Sequence, residues 1–139
     1  MATSVGCAAV LFDGRTKSFV ITKRSLNKSK YPRHWELPGG TLNDGEDPEI
    51  CIRREIKEEL NTEIANLTLA FVDCAYHDDK RYIVFVYLGE INTASIRIEP
   101  QEIETIMRLS LDDTLPTPLY PRVKEQLLRV SSSSLRVIA

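Results

Sequence analysis

A chain of 139 residues is long enough to bury one core and too short for two, and 42% apolar with 27% charged residues is the balance of a folded globular protein rather than a disordered or membrane-embedded one. The formal net charge of −2 supplies no overall positive field, which argues against a long nucleic acid or an anionic membrane as partner and leaves a single small nucleotide open. The expectation is one domain over residues 1–139, with 131–139 as a frayed tail, acting as a monomer or homodimer.

The opening MATSVGCAAVLF has no basic segment ahead of its apolar run, and no apolar stretch approaches the ~18 residues of a spanning helix, so a cytoplasmic protein is expected. Cys7 and Cys51 and Cys74 are odd in number and lack C-x-x-C spacing, which suggests buried thiols instead of disulfides or structural zinc. His34 and His77 stand far apart and read as exposed loop histidines. Any metal should therefore be hard and oxygen-bound.

In chain order, apolar residues 7–12 and 19–22 flank Asp13-Gly14, the turn signal of a first hairpin. Residues 25–33 are polar and basic. Trp35-Glu36-Leu37 then alternates briefly before Pro38-Gly39-Gly40, so a short strand running into a tight loop is expected. Asp47 suits an N-cap, Pro48 the first helical position and Glu49 the positive end of the dipole, while Asn61 tolerates the left-handed closing conformation; a helix should lie between them. Residues 67–76 and 82–91 read as a second hairpin around His77-Asp78-Asp79-Lys80, with short strands at 96–98 and 106–109. Beyond Pro116, Pro118 and Pro121, the spacing of Val123, Leu127, Leu128 and Val130 predicts an amphipathic helix.

On a helical wheel, Glu55, Glu58 and Glu59 fall on one face with Cys51, bordered by an Ile52, Ile56 and Leu60 stripe and opposed by Arg53 and Lys57. Like charges four residues apart cost about 0.2–0.5 kcal/mol per pair even when exposed. Arg54 can pair with Glu58 at i,i+4 but cannot neutralise three carboxylates and Glu46 as well. A divalent cation is the natural remainder, with a backbone carbonyl of the Gly39-Gly40 turn completing an all-oxygen shell. The bland alternative is a solvated acidic face.

The longer pattern weighs against that alternative. Gly40, five residues, Glu46, seven residues and then Arg54-Glu55-Ile56-Lys57-Glu58-Glu59, preceded by Leu37-Pro38-Gly39, resembles the Nudix box, with Asn61 and Thr62 where the family has glycine and an aliphatic residue. The resemblance implies an α/β fold, the α/β/α sandwich with a mixed β-sheet. It also implies hydrolysis of a nucleoside diphosphate linked to X, giving a nucleoside monophosphate and phosphorylated X, with Mg²⁺ as cofactor and Mn²⁺ able to substitute.

By the same resemblance Glu55, Glu58, Glu59 and the Gly40 carbonyl bind metal, while Arg54 and Glu46 orient the carboxylates. Glu55 is the first choice for general base, with Glu99 and Glu102, and also Glu104, in the later segment where some members carry a further acidic residue. Lys23 and Arg24 are candidate phosphate contacts, and Trp35 and Tyr82, with Tyr31, are candidate stacking residues weighed against a core role. A nucleoside triphosphate, plain or oxidised, is the leading substrate; ADP-ribose, a sugar nucleotide and a dinucleoside polyphosphate are alternatives. The asparagine that reads oxidised purines in mutator-type members has no counterpart in residues 116–121. The rival reading is a Nudix-fold module that binds a nucleotide or a protein without turnover.

Overall fold

The computed structural model describes residues 2–14 and 16–131, so most of the serine run and the expected frayed tail lie outside the described residues. Its centre is β1 (Ala2–Asp13), a strand that starts five residues before the apolar run that announced it because it pairs along its whole length with β6 (Lys80–Ile91), from Ala2↔Lys80 to Asp13↔Ile91. That pairing is parallel, whereas β1 runs antiparallel to β2 (Phe19–Arg24), and β6 runs antiparallel to β5 (Ala65–His77). The sheet is mixed, in the order β3-β2-β1-β6-β5, where β3 is Trp35–Glu36. Two further strands join from the side: β4 (Gly39–Thr41) on β1 and β7 (Ile103–Leu109) on β2.

Both faces of β1 are covered, which is why its sequence is a continuous apolar run with no polar alternation. Ala8, Val10 and Phe12 point into one core layer with Phe19, Ile21 and the residues Val123 and Leu127 of α2 (Val123–Arg129). Cys7, Ala9 and Leu11 point into the other, against Ile52, Ile56 and Leu60 of α1 (Pro48–Leu60). One helix per face makes the α/β/α sandwich. Ile52, Ile56 and Leu60 are all fully buried, so the stripe read on the wheel is the seam that seats α1. Shortening Ile56 to Ala is expected to cost about 2–5 kcal/mol, read as a lower urea midpoint with unchanged slope.

α1 has the predicted caps. The Asp47 carboxylate accepts from the Glu49 N–H at 2.8 Å, and Asn61 adopts the left-handed conformation at φ 54°. The β5–β6 turn places Asp78 and Asp79 at φ 52° and 56°, the two consecutive left-handed residues of a tight hairpin. In α2 it is Gln126 that is buried, while Leu128 faces solvent.

Two segments depart from expectation. Residues 39–41 form strand β4 where a loop was expected, because Gly39 and Gly40 lie flat against Ala8 and Cys7. Residues 96–98 form no strand. A 3-10 turn (Thr93–Ser95) precedes them, and the Arg97 and Glu99 N–H groups donate at 2.9 Å to the carbonyls of Leu60 and Glu59, satisfying orphan acceptors at the end of α1.

Candidate active site

The β4 strand carries Gly40 beneath the acidic face of α1. A Cβ on Gly40 would lie 2.4 Å from Glu55 Cδ, so the bare backbone there is what lets the Glu55 carboxylate reach the sheet. The Gly40 carbonyl accepts from the Cys7 thiol at 3.6 Å, and Cys7 and Cys51, both buried, hold their sulfurs 2.9 Å apart beneath it. Burial pushes both thiols above their ordinary range, and Cys51, whose sulfur accepts from Arg54 Nη2 at 3.8 Å, serves here as packing.

Arg54 organises the helix face. Its Nε and Nη2 donate to the two Glu46 oxygens at 2.7 and 2.8 Å, a bidentate clamp, and its Nη1 donates to Glu55 at 2.9 Å and to Glu58 at 3.2 Å. Glu46 also accepts from the Asn43 N–H at 3.0 Å. The Arg54 hydrogen bonds hold the Glu46 carboxyl down to about 2, and in return Glu46 holds the guanidinium far above its usual range. The arginine thus ties Glu46 of the loop before α1 to two acidic side chains of the helix.

The three carboxylates of the helix face differ in setting. The Glu58 side chain is 57% exposed, Glu55 is 16% exposed, and Glu59 is buried. Burial, then the charge of Glu36, then a shared hydrogen bond with Glu55 push the Glu59 carboxyl well above the usual range. Among the described residues no three His, Cys, Asp or Glu side chains already converge as a ready cage, since Glu58 is turned to Arg54. Glu55, Glu59 and the Gly40 carbonyl nevertheless form an oxygen-rich cradle with too little positive charge of its own, and this donor set fits a hard cation.

Glu36, which the sequence presents only as part of a short strand, enters the same cleft. Burial pushes its carboxyl up to about 7 against the opposing pull of Arg24, which donates to it at 2.9 Å. A carboxyl whose folded value is raised contributes stability that is fully present below its unfolded value, ordinarily 4.5, and lost as pH rises through about 7. Denaturation in chelator should therefore show stability falling between these limits, less steeply in Glu36→Gln. An equal slope in both proteins would remove Glu36 as the cause.

Glu36, Gly40, Glu55, Glu58 and Glu59 line one open cleft of about 500 Å³, a size suited to a small nucleotide. Arg24 and Tyr82 line it, as does Glu102, which forms an ion pair with Lys28. Trp35 does not: it is buried in the core, its position fixed by the N–H bond to Pro118 O at 2.9 Å. Lys23 stands over the Trp35 ring and pairs with Glu104 at 3.3 Å, outside the cleft lining. The Glu104 carboxyl is held low by Arg33 and then Lys23. Glu99 caps Gln101 instead of facing the cleft, and Tyr31 packs edge-on to Tyr120.

Further residues line the cleft that were not among the expected substrate contacts. Lys28, Lys30 and Lys80 bring positive charge, and His77 is the last residue of β5, stacked on Tyr82 with ring centroids 4.1 Å apart, not a free loop histidine. At the far end Arg122 grips Asp73 at 2.8 and 3.1 Å, and Gln126 donates to the same carboxylate at 3.1 Å. Burial would raise Asp73, but the Arg122 and Gln126 bonds outweigh it and hold it low.

The family model of the NUDIX domain matches residues 2–130. The chain belongs to the NUDIX domain family. Among solved structures, a MutT NUDIX hydrolase of Burkholderia pseudomallei superimposes on this Nudix chain with a TM-score of 0.80 at 29% identity, covering 94% of this chain and 99% of that one. A MutT protein of Methanosarcina mazei Go1, 21% identical, shares the fold at a TM-score of 0.75 over 95% of this chain and 97% of that one. Among curated relatives, a Proteus vulgaris protein named 8-oxo-dGTP diphosphatase is 39% identical over 71 residues, 51% of this chain and 60% of its own length. An Enterobacter protein named nucleoside triphosphatase NudI is 27% identical over 110 residues, 68% of this chain and 77% of its own. No helix of the described residues is long and apolar enough to cross a membrane.

Proposed function

We propose that this Nudix chain, acting as a single domain, hydrolyses the diphosphate linkage of a small nucleotide, with nucleoside triphosphates as the leading substrate class. The products are a nucleoside monophosphate and phosphorylated X, which is pyrophosphate when the substrate is a triphosphate. The reading rests above all on one arrangement: Glu55 folded over the bare Gly40 backbone, buried Glu59 beside it, and Arg54 clamped by Glu46. The names of the triphosphatase and diphosphatase relatives favour the substrate class.

Glu55, Glu59 and the Gly40 carbonyl, with Glu58 once it leaves Arg54, would hold a divalent cation, Mg²⁺ in the first instance and Mn²⁺ as a substitute. When bound, such an ion supplies polarisation of a phosphoryl oxygen and partial neutralisation of the polyphosphate. Arg54 keeps Glu46 and Glu55 in register, so these two carboxylates need little rearrangement as charge develops. Glu55 would accept a proton from the attacking water. Arg24, Lys28 and Lys80 offset phosphate charge along the cleft, and the Tyr82 ring, braced by His77, offers a face for a base.

The test is a screen of nucleoside triphosphates, 8-oxo-dGTP, ADP-ribose, sugar nucleotides and dinucleoside polyphosphates, with Mg²⁺, with Mn²⁺ and with chelator, on wild type and Glu58→Gln. Turnover of a triphosphate that disappears in chelator and in the variant is expected. Binding of nucleotide without turnover of any substrate in either metal would establish the non-catalytic module instead. Preference for 8-oxo-dGTP is not expected, since residues 116–121 present Tyr120 and Pro121 to the cleft and no asparagine.

A further inference from the structure

The outer edge of β5 is a 13-residue strand end-on to solvent: no described strand pairs with it beyond β6. Such edges ordinarily carry lysine, proline or inward charges that block a further strand. Residues 65–77 contain no lysine, no arginine and no proline, and their one carboxylate, Asp73, is turned to the opposite face and neutralised by Arg122. Val72, Cys74 and Tyr76 are exposed on the free face. Across β6 they adjoin Phe85, Ile83 and Arg81, and the Arg81 guanidinium lies over the Tyr76 ring.

The first half of β5 is broken by register shifts, at 65/68 and 69/71, but from Phe71 to His77 the ladder with β6 is regular. That regular stretch has Cys74 at its midpoint. We propose that β5 pairs antiparallel with β5 of a second copy of this chain about a two-fold axis through Cys74, making one continuous sheet through the dimer.

The register follows from the side chains. With the axis at Cys74, Val72 meets Tyr76 of the second copy, Cys74 meets its equivalent, and Asp73 meets Ala75. The rows across the free face then read Phe85, Val72, Tyr76, Arg81 and Ile83, Cys74, Cys74, Ile83, apolar throughout with the cations at the margins. An axis at Asp73 would set two carboxylates directly opposite, and one at Val72 would run the pairing into the irregular half of the strand. A second copy is the occupant because in this register the seam joins Val72 to Tyr76 and Cys74 to Cys74, sets Asp73 against Ala75, and brings no like charges opposite one another.

Directly opposed residues in an antiparallel ladder have Cα atoms roughly 4.5–5.5 Å apart, within disulfide range. Treating the reduced protein with dithiodipyridine should therefore give a Cys74–Cys74 disulfide between copies, each bond formed releasing two pyridinethiones and reversed by dithiothreitol. Cys7 and Cys51 are buried and should not contribute. Light scattering across micromolar to millimolar protein should show a dimer in reducing buffer, retained by Cys74→Ser and weakened on the order of 100-fold in dissociation constant by Val72→Lys, with the circular dichroism of each variant unchanged. A monomer throughout, a dimer indifferent to Val72→Lys, or a dimer without the cross-link would each overturn the proposal. The outcome does not depend on whether the cleft hydrolyses nucleotides.

Discussion

Glu59→Gln is expected to slow metal-dependent hydrolysis on the order of 10³-fold while raising the thermal midpoint of the metal-free protein. The two effects come from one cause. Glu59 is buried beside Glu36 and shares a hydrogen bond with Glu55, so folding forces a carboxylate into a setting that resists its charge. Glutamine keeps the volume, removes the charge and can donate from its amide to Glu55. It also removes a hard anionic donor from the cradle over Gly40. Steady-state rates with Mg²⁺ and a thermal melt in chelator read the two effects separately. A rate within tenfold of wild type would take Glu59 out of the chemistry, and a lowered melt would mean that its present bonds matter more than its buried charge.

The second large effect separates two adjacent glycines. Alanine at Gly39 would place its Cβ 2.1 Å from the Cys7 carbonyl oxygen and 2.8 Å from the Ala8 Cα, both main-chain atoms of the central strand. Neither can move without breaking the β4–β1 ladder, so Gly39→Ala is expected to destabilise by about 3 kcal/mol or more. Alanine at Gly40 meets the end of the Glu55 side chain, which can rotate away. Gly40→Ala should therefore keep most of its stability and lose most of its activity, because the displaced group is the Glu55 carboxylate. Urea titration and turnover on the two variants give the comparison, and equal stability losses would contradict it.

Much of this was legible along the chain because it depends on neighbours in sequence. The caps of α1 at Asp47 and Asn61, its buried Ile52-Ile56-Leu60 stripe and the β5–β6 hairpin are local patterns of spacing and turn chemistry. The approach of Gly40 to Glu55 and the Arg54–Glu46 clamp fall within one loop and helix, the span that carries the resemblance to the Nudix box, and it is that resemblance which implied the clamp. Residues 96–98 alternate like a strand in sequence, but the Arg97 N–H of that segment bonds to the end of α1.

What the order of residues determined by itself was the acidic helix, its caps and the glycine turn that faces it, since a helix repeats every 3.6 residues and a short loop has few ways to close. Only the tertiary structure decided which other residues share that cleft. Trp35 goes to the core although it neighbours the glycine turn, whereas Glu36, one residue on, turns to Arg24 and toward Glu59. Asp73, His77, Tyr82 and Arg122 arrive from distant strands and from the segment before α2. The physical reason is that successive residues of a strand point to opposite faces, and which face meets the cleft is set by the register of the pairings across the sheet.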